Sequence, residues 1–310
     1  PWRAVDDFYT GTVAAACGGT TAIVDHVAFG PKGCSLRHQI DQYHKLADGK
    51  AVIDYGFHGV LQHVDEGILA EMERLAREEG VTSFKAYLTY DDKLSDADLF
   101  RVLRRAGELG VVIPVHCEND GVVNYLRGYY KSRGLTDPIY HAKSRPARCE
   151  AEAVNRVLQL AAMAGDAPVY IVHLSTAAGL EEIRHARARG QKNIGVETCP
   201  QYLLLTEQAY ADPREGLKAV MSPPLRTQAD CEALWGGLAD GTIDAVATDH
   251  CPFRFAVEKQ AGLGDFTACP NGAPGVEERL PLLYSQGVAR GRISICDLVR
   301  LLGAAPRRLY

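Results

Sequence analysis

The sequence predicts an α/β fold, a TIM-like (β/α)8 barrel, on three observations. Short apolar runs recur along nearly the whole chain, amphipathic segments of helical period fall between them, and similar polar side chains stand where several runs end. The runs cover 21–26, 51–57, 81–88, 111–116, 169–174, 194–199 and 243–248. They are short and often rich in Val and Ile, as strands covered on both faces are. Their alternation with helices implies a parallel sheet with the helices outside. Seven runs are visible and the chain opens on a helix-like segment at 6–16, so one more strand is expected ahead of Pro1, closing a barrel of eight. An open doubly wound sheet is the competing arrangement, but no G-x-G-x-x-G follows the first run.

Each helix pattern has its own start or stop. Ile68, Met72 and Leu75 share a face, and Gly80 follows as a stop. Ser95 with Asp98 makes a capping-box-like start. Leu99, Val102, Leu103 and Ala106 form the stripe behind it, and Gly110 ends it. Val154, Val157, Leu158 and Ala161 repeat the pattern before Gly165, as do Leu180, Ile183 and Ala186 before Gly190. The stretches 119–148 and 253–275 are expected to be long irregular loops on the C-terminal face, where barrels hold their sites. No repeat, low-complexity tract or linker interrupts the chain, so 1–310 reads as one barrel domain.

Composition narrows the functional classes. At 46% hydrophobic and 24% charged, the chain reads as globular and not disordered. Lys and Arg number 34 against 39 Asp and Glu, a net charge of −5, which argues against a nucleic-acid partner. No apolar run approaches the roughly 20 residues that span a bilayer, so no membrane partner is expected. The nine Cys form no C-x-x-C pair, so neither a disulfide framework nor a zinc ribbon is predicted. Reduced thiols in a cytoplasmic protein are the expectation.

The polar strand ends carry the chemistry. Lys85 lies within Ser83-Phe84-Lys85-Ala86-Tyr87-Leu88, where a buried charge is expensive unless paired or functional. His116 ends its run with Glu118 two residues on, His173 closes another, and Asp249 and His250 follow a third. One such residue is more often a hydrogen-bonded core group; four at matched positions suit a catalytic zinc site with an open position. A free ammonium has no lone pair to offer, so Lys85 becomes a ligand only as a carbamate, whose two oxygens can bridge two cations. Tyr90 could place its phenol over the metals or simply pack. His26 and His58 close strands and keep a claim on the pocket, while His38 and His44 are expected at the surface. Neither a G-x-S-x-G elbow nor a P-loop is present.

These segments, with Ser222-Pro223-Pro224-Leu225-Arg226, Ala247-Thr248-Asp249-His250-Cys251, Cys269-Pro270-Asn271-Gly272, Glu197-Thr198-Cys199-Pro200 and Ala15-Ala16-Cys17-Gly18-Gly19-Thr20-Thr21, resemble the hydantoinase/dihydropyrimidinase family of cyclic amidohydrolases. The resemblance runs in order over nearly all 310 residues. It implies a barrel of the metal-dependent amidohydrolase type. Carbamylated Lys85 would bridge two Zn2+ ions, His116 and His173 would bind one, and Asp249 would bind the other and act as general base. Tyr90 would hydrogen-bond the oxyanion, and Ser222 and Asn271 would hold a small cyclic diamide through main-chain groups. Tyr87 and Leu94 lie where the family shapes its pocket, and an apolar lining there favours aryl or alkyl 5-substituted hydantoins, opened to N-carbamoyl amino acids. The family's first-strand H-x-H pair and its flanking β-sandwich are not in this chain. It is therefore expected to be a barrel truncated at both ends, with impaired zinc binding and little activity alone. Analogy predicts a homo-oligomer, a tetramer. Rival readings are a dihydropyrimidinase, allantoinase or dihydroorotase, or a non-catalytic scaffold that has lost its chemistry.

Overall fold

A computed structural model describes residues 2–27 and 30–310. Seven strands form one sheet in the order of the sequence: β1 (Ala22–His26), β2 (Asp54–Val60), β3 (Phe84–Tyr87), β4 (Ile113–His116), β5 (Val169–Ile171), β6 (Ile194–Thr198) and β7 (Ala245–Val246). Every neighbouring pair is parallel. The sheet is curled: Asp25 at the β1 edge feels the charge of His250 beyond β7. The expected strand ahead of Pro1 lies outside the described residues.

Among the described residues from Phe8 to Ala239, ten α-helices carry the crossovers and loops: α1 (Phe8–Cys17), α2 (Leu36–Ala47), α3 (Glu66–Glu78), α4 (Asp96–Leu109), α5 (Asp120–Lys131), α6 (Ile139–Lys143), α7 (Ala147–Met163), α8 (Ala177–Ala188), α9 (Pro200–Leu204) and α10 (Gln228–Ala239). The predicted stripes of α3, α4, α7 and α8 are all buried. Ser95 caps α4 by accepting the Asp98 N–H, and Gly110 ends it at φ 71°, where a side chain would be strained. Among the described residues no helix is long and apolar enough to cross a membrane.

Two expectations need correction. The strand expected at 51–57 runs from Asp54 to Val60; the polar His58 lies inside it, so the apolar run ended too early. The stretch 119–148 is mostly helical, not irregular. Asn119 caps α5 by accepting the Val122 N–H, but only Val123 of α5 is buried, so no apolar stripe marks the helix. The stretch 253–275 is irregular apart from two short 3₁₀ turns.

Candidate active site

The pleat explains why the polar strand residues meet. Alternate residues of a strand share a face, and residues paired across parallel strands share it too. The pairs His26–His58, Val60–Lys85, Tyr87–His116, Pro114–Tyr170, Tyr170–Gly195 and Glu197–Ala245 lead from strand to strand. They put His26, His58, Lys85, Tyr87, His116, Tyr170 and Glu197 on one face. The opposite face holds Phe57, Phe84, Ala86, Val115, Ile171 and Val196, all in the apolar core. The polar set thus lines the inside of the curl. Gly195 leaves room there, because a Cβ would come within 2.4 Å of the Tyr170 ring.

Three further residues reach the site by leaving the strand geometry. By alternation Val172, not His173, shares the face of Tyr170. His173 has φ 39°, and this left-handed turn brings its ring to 4.6 Å from that of His116. Asp249 turns at φ 49° and Tyr90 at φ 77°. Among the described residues these are three of four non-glycine residues at positive φ. Such strain costs about 1–3 kcal/mol per residue and gathers at functional sites.

The electrostatics follow from burial. Lys85 is only 1% exposed. Burial pushes its ammonium down to about 8, although Asp249 and Glu197 pull the other way. The neutral amine is therefore more accessible at pH 7 than for a free lysine. Burial raises Asp249, and Lys85 and His116 oppose the rise. Asp249 also keeps part of its surface open to solvent. Burial also drives His173 and His26 well below the ordinary imidazole range, so both are neutral. Glu197 is raised by burial; it accepts from the Tyr170 hydroxyl at 3.0 Å and the His173 N–H at 3.4 Å.

The remaining residues fall around this group. Tyr90 lies 5.3 Å from the His116 ring and 5.8 Å from Tyr87, centroid to centroid. The Lys85 Nζ is 5.2 Å from the Tyr87 ring. Leu94 packs in the apolar core and donates its N–H to the Tyr87 carbonyl at 2.9 Å. Tyr87 therefore stands beside the site and Leu94 braces it from behind. The Ser222 hydroxyl is buried without a geometrically complete hydrogen bond, although it lies near enough to Tyr90 to work against the upward push of burial on that phenol. Asn271 is exposed. Its segment is tied to that of Ser222: Gly272 N–H donates to Val220 O at 3.1 Å, and buried Lys259 donates to Val220 O and Pro270 O at 2.7 and 2.9 Å. His250 is structural; it accepts the Gly275 N–H on Nδ1 and donates from Nε2 to Asp6.

Sequence reasoning named Glu118 only as a neighbour of His116 and passed over Glu197 and Arg145 as members of the site. Glu197 carried the same signal as Lys85, a charge inside a buried strand. Glu118 accepts from His116 Nε2–H at 2.7 Å and is paired with the buried Arg145. Two hollows elsewhere, one beside Leu69 and Arg105, one beside Trp235 and Arg292, contain none of these residues.

The donor set fits a metal. His173 Nδ1 is buried with no hydrogen-bond partner, and the Glu118 bond leaves His116 Nδ1 as that ring's free lone pair. Among the described residues, however, no three His, Cys, Asp or Glu side chains form a metal site by themselves. The amine between them is the group that could complete it.

Buried histidines also set a pH response. His141 donates from Nε2 to Met221 O at 2.7 Å, and burial pushes its pKa down to about 3. Unfolded, it takes up a proton below about 6.5. The unfolded state then binds more protons, and this residue's contribution falls as pH drops from 6.5 toward 3. Relative to His141→Gln, whose amide can still donate, the wild type is expected to lose about 2 kcal/mol between pH 7 and pH 5. Urea unfolding of both proteins checks this; a stability gap that ignores pH would contradict it.

The curled parallel sheet, with its polar residues turned inward at the strand ends, places the chain in the TIM-barrel class. No family model matches it. A D-phenylhydantoinase of Escherichia coli O1:K1 / APEC is 54% identical over 308 residues, 99% of this chain and 66% of that protein. The dihydropyrimidinase from Brevibacillus agri NCHU1002 matches with a TM-score of 0.94 at 45% identity, over 96% of this chain and 65% of that one. A D-hydantoinase (dihydropyrimidinase) from Thermus sp. matches at 0.93 and 37% identity, over 99% of this chain and 67% of that one. The chain belongs to the hydantoinase/dihydropyrimidinase family of cyclic amidohydrolases. It spans 66% of the length of its curated relative.

Proposed function

We propose that the chain carries the hydrolytic site of a hydantoinase, which opens the ring amide of 5-substituted hydantoins to N-carbamoyl amino acids. One observation carries this reading: a buried amine of depressed pKa shares the inner face of the barrel with His116 and faces the charge of Asp249. A neutral amine can add CO2 and lose one proton, which gives a carbamate whose two oxygens share a single negative charge. Carbamylated Lys85, His116, His173 and Asp249 would hold two Zn2+ ions. When bound, such a pair polarises a carbonyl and brings the pKa of a water near 7.

The chain's own residues do the rest. Asp249 takes the proton of the attacking water and returns it to the ring nitrogen as the C–N bond breaks. Tyr90 donates its hydroxyl to the carbonyl oxygen as charge gathers there. The main chain at Ser222 and Asn271, joined through Lys259, lines up the cyclic diamide, and the Tyr87 ring suits an aryl group at the exocyclic position. All nine cysteines are free thiols, which supports a reducing, cytoplasmic setting.

The test is a panel on the zinc-supplemented protein extended at both ends to the length of its relatives: 5-aryl and 5-alkyl hydantoins, dihydrouracil, allantoin and dihydroorotate. The highest kcat/KM is expected on the aryl hydantoins. A preference for dihydrouracil would move the reading to a dihydropyrimidinase, as the Brevibacillus neighbour is named. No ring opening by zinc-bound protein would overturn it.

A further inference from the structure

The strongest unassigned feature is a buried ion pair behind His116. Glu118 and Arg145 are 0% and 2% exposed. The buried Arg145 guanidinium is paired with the Glu118 carboxyl group, and the partner that balances a buried guanidinium is a carboxylate, which carries no proton and can only accept. Its Oε2 takes both the His116 Nε2–H and an Arg145 N–H. Arg145 is fixed in turn. Its carbonyl accepts from Arg226, whose Nε donates to Ser175 Oγ at 3.1 Å; Ser175 Oγ donates to Glu150 at 2.7 Å. The guanidinium also stands 6.0 Å from the Tyr90 ring centroid.

We infer that Glu118, held by Arg145, is a positioning residue that locks His116 in the Nε2–H tautomer, so that the Nδ1 lone pair is the one offered to the pocket. A neutral imidazole has one donor and one acceptor nitrogen, and the partner of one decides the role of the other. Carboxylates that hold metal-binding imidazoles in this way are worth about 10–100-fold in metal affinity. The value of the lock rests on the zinc reading above, but the lock itself does not. The pair lies 27 residues apart in sequence, so the loop after β4 and the link between α6 and α7 must both be in place before His116 is oriented.

Removing Glu118 alone would strand a buried guanidinium. The variant that avoids this is Glu118→Met with Arg145→Met, since an apolar pair can replace a buried ion pair without leaving a charge behind. Imidazole nitrogen NMR on the metal-free chain reads the tautomer directly, with His116 assigned by the signals missing from His116→Asn. The wild type is expected to carry its proton on Nε2, and the double variant to shift toward Nδ1. Chelator competition is expected to show zinc held about 10–100-fold more weakly by the double variant. A wild-type proton on Nδ1 would overturn the inference with no variant needed, even if the double variant fails to fold. A folded double variant with unchanged tautomer would overturn it as well. If the tautomer shifts as expected but the wild type takes up no zinc, the metal reading fails and the lock stands.

Discussion

Lys85→Ala is expected to abolish both zinc uptake and turnover while leaving the fold intact. The argument starts from where the amine sits. Lys85 occupies an inner-face position of β3, 1% exposed, between the charges of Asp249 and Glu197. Folding it as an ammonium is unfavourable. Its folded pKa of about 8 lies below the unfolded value of 10.5, so the unfolded state binds more protons between those values. Stability therefore rises with pH across that window, and the cost is fully present below pH 8. A protein that needed Lys85 only for structure would be better served by an apolar residue. Alanine relieves the buried charge and leaves a small void, so the unfolding midpoint should move little. Function should move much more. If this amine bridges the two cations as proposed, its loss removes everything that depends on them, more than the roughly 100–1,000-fold attached to one oxyanion donor. Short carboxylic acids, which fit the void and restore two oxygens, are expected to recover part of the activity. Zinc counted per chain is the decisive measurement: a full complement in Lys85→Ala would show that the amine bridges nothing.

Much of this was legible in the sequence because the barrel separates its two faces. In Phe84-Lys85-Ala86-Tyr87 the apolar residues face the helices and the others face the lumen. A lone charge inside a buried strand is therefore the signature of an inward-facing site, and it marked Lys85. The same reading applied to Ile194-Gly195-Val196-Glu197 would have marked Glu197 as well. What sequence periodicity could not reveal is of two kinds. His173 stands at the wrong parity and is turned in only by its left-handed backbone. Arg145 lies in a stretch whose helices bury almost nothing on a regular face: α5 buries Val123 alone, and α6 buries His141 and Ala142. Periodicity reports one-sided burial, so helices packed over strand ends escape it. The partners that orient His116 come from such a region, joined by contacts that no spacing rule records.

Tyr90→Phe isolates one hydroxyl and so separates catalysis from packing. Tyr90 follows β3 at φ 77°, a conformation equally strained for Phe, so the exchange leaves the backbone cost unchanged. The ring contacts with Tyr87 and His116 also remain. Burial pushes the phenol up, with the Arg145 guanidinium opposing the rise, so at neutral pH the group is protonated and able to donate. If it donates to the oxygen on which charge gathers, the bond strengthens only as the transition state forms. Losing it should lower kcat about 100–1,000-fold with little change in KM. Zinc content should stay at the wild-type level, because no metal contact is assigned to the phenol. A phenol that merely packs predicts a different pattern, with kcat close to wild type. That outcome would reassign Tyr90 to the wall of the pocket and leave the oxyanion to the metals alone.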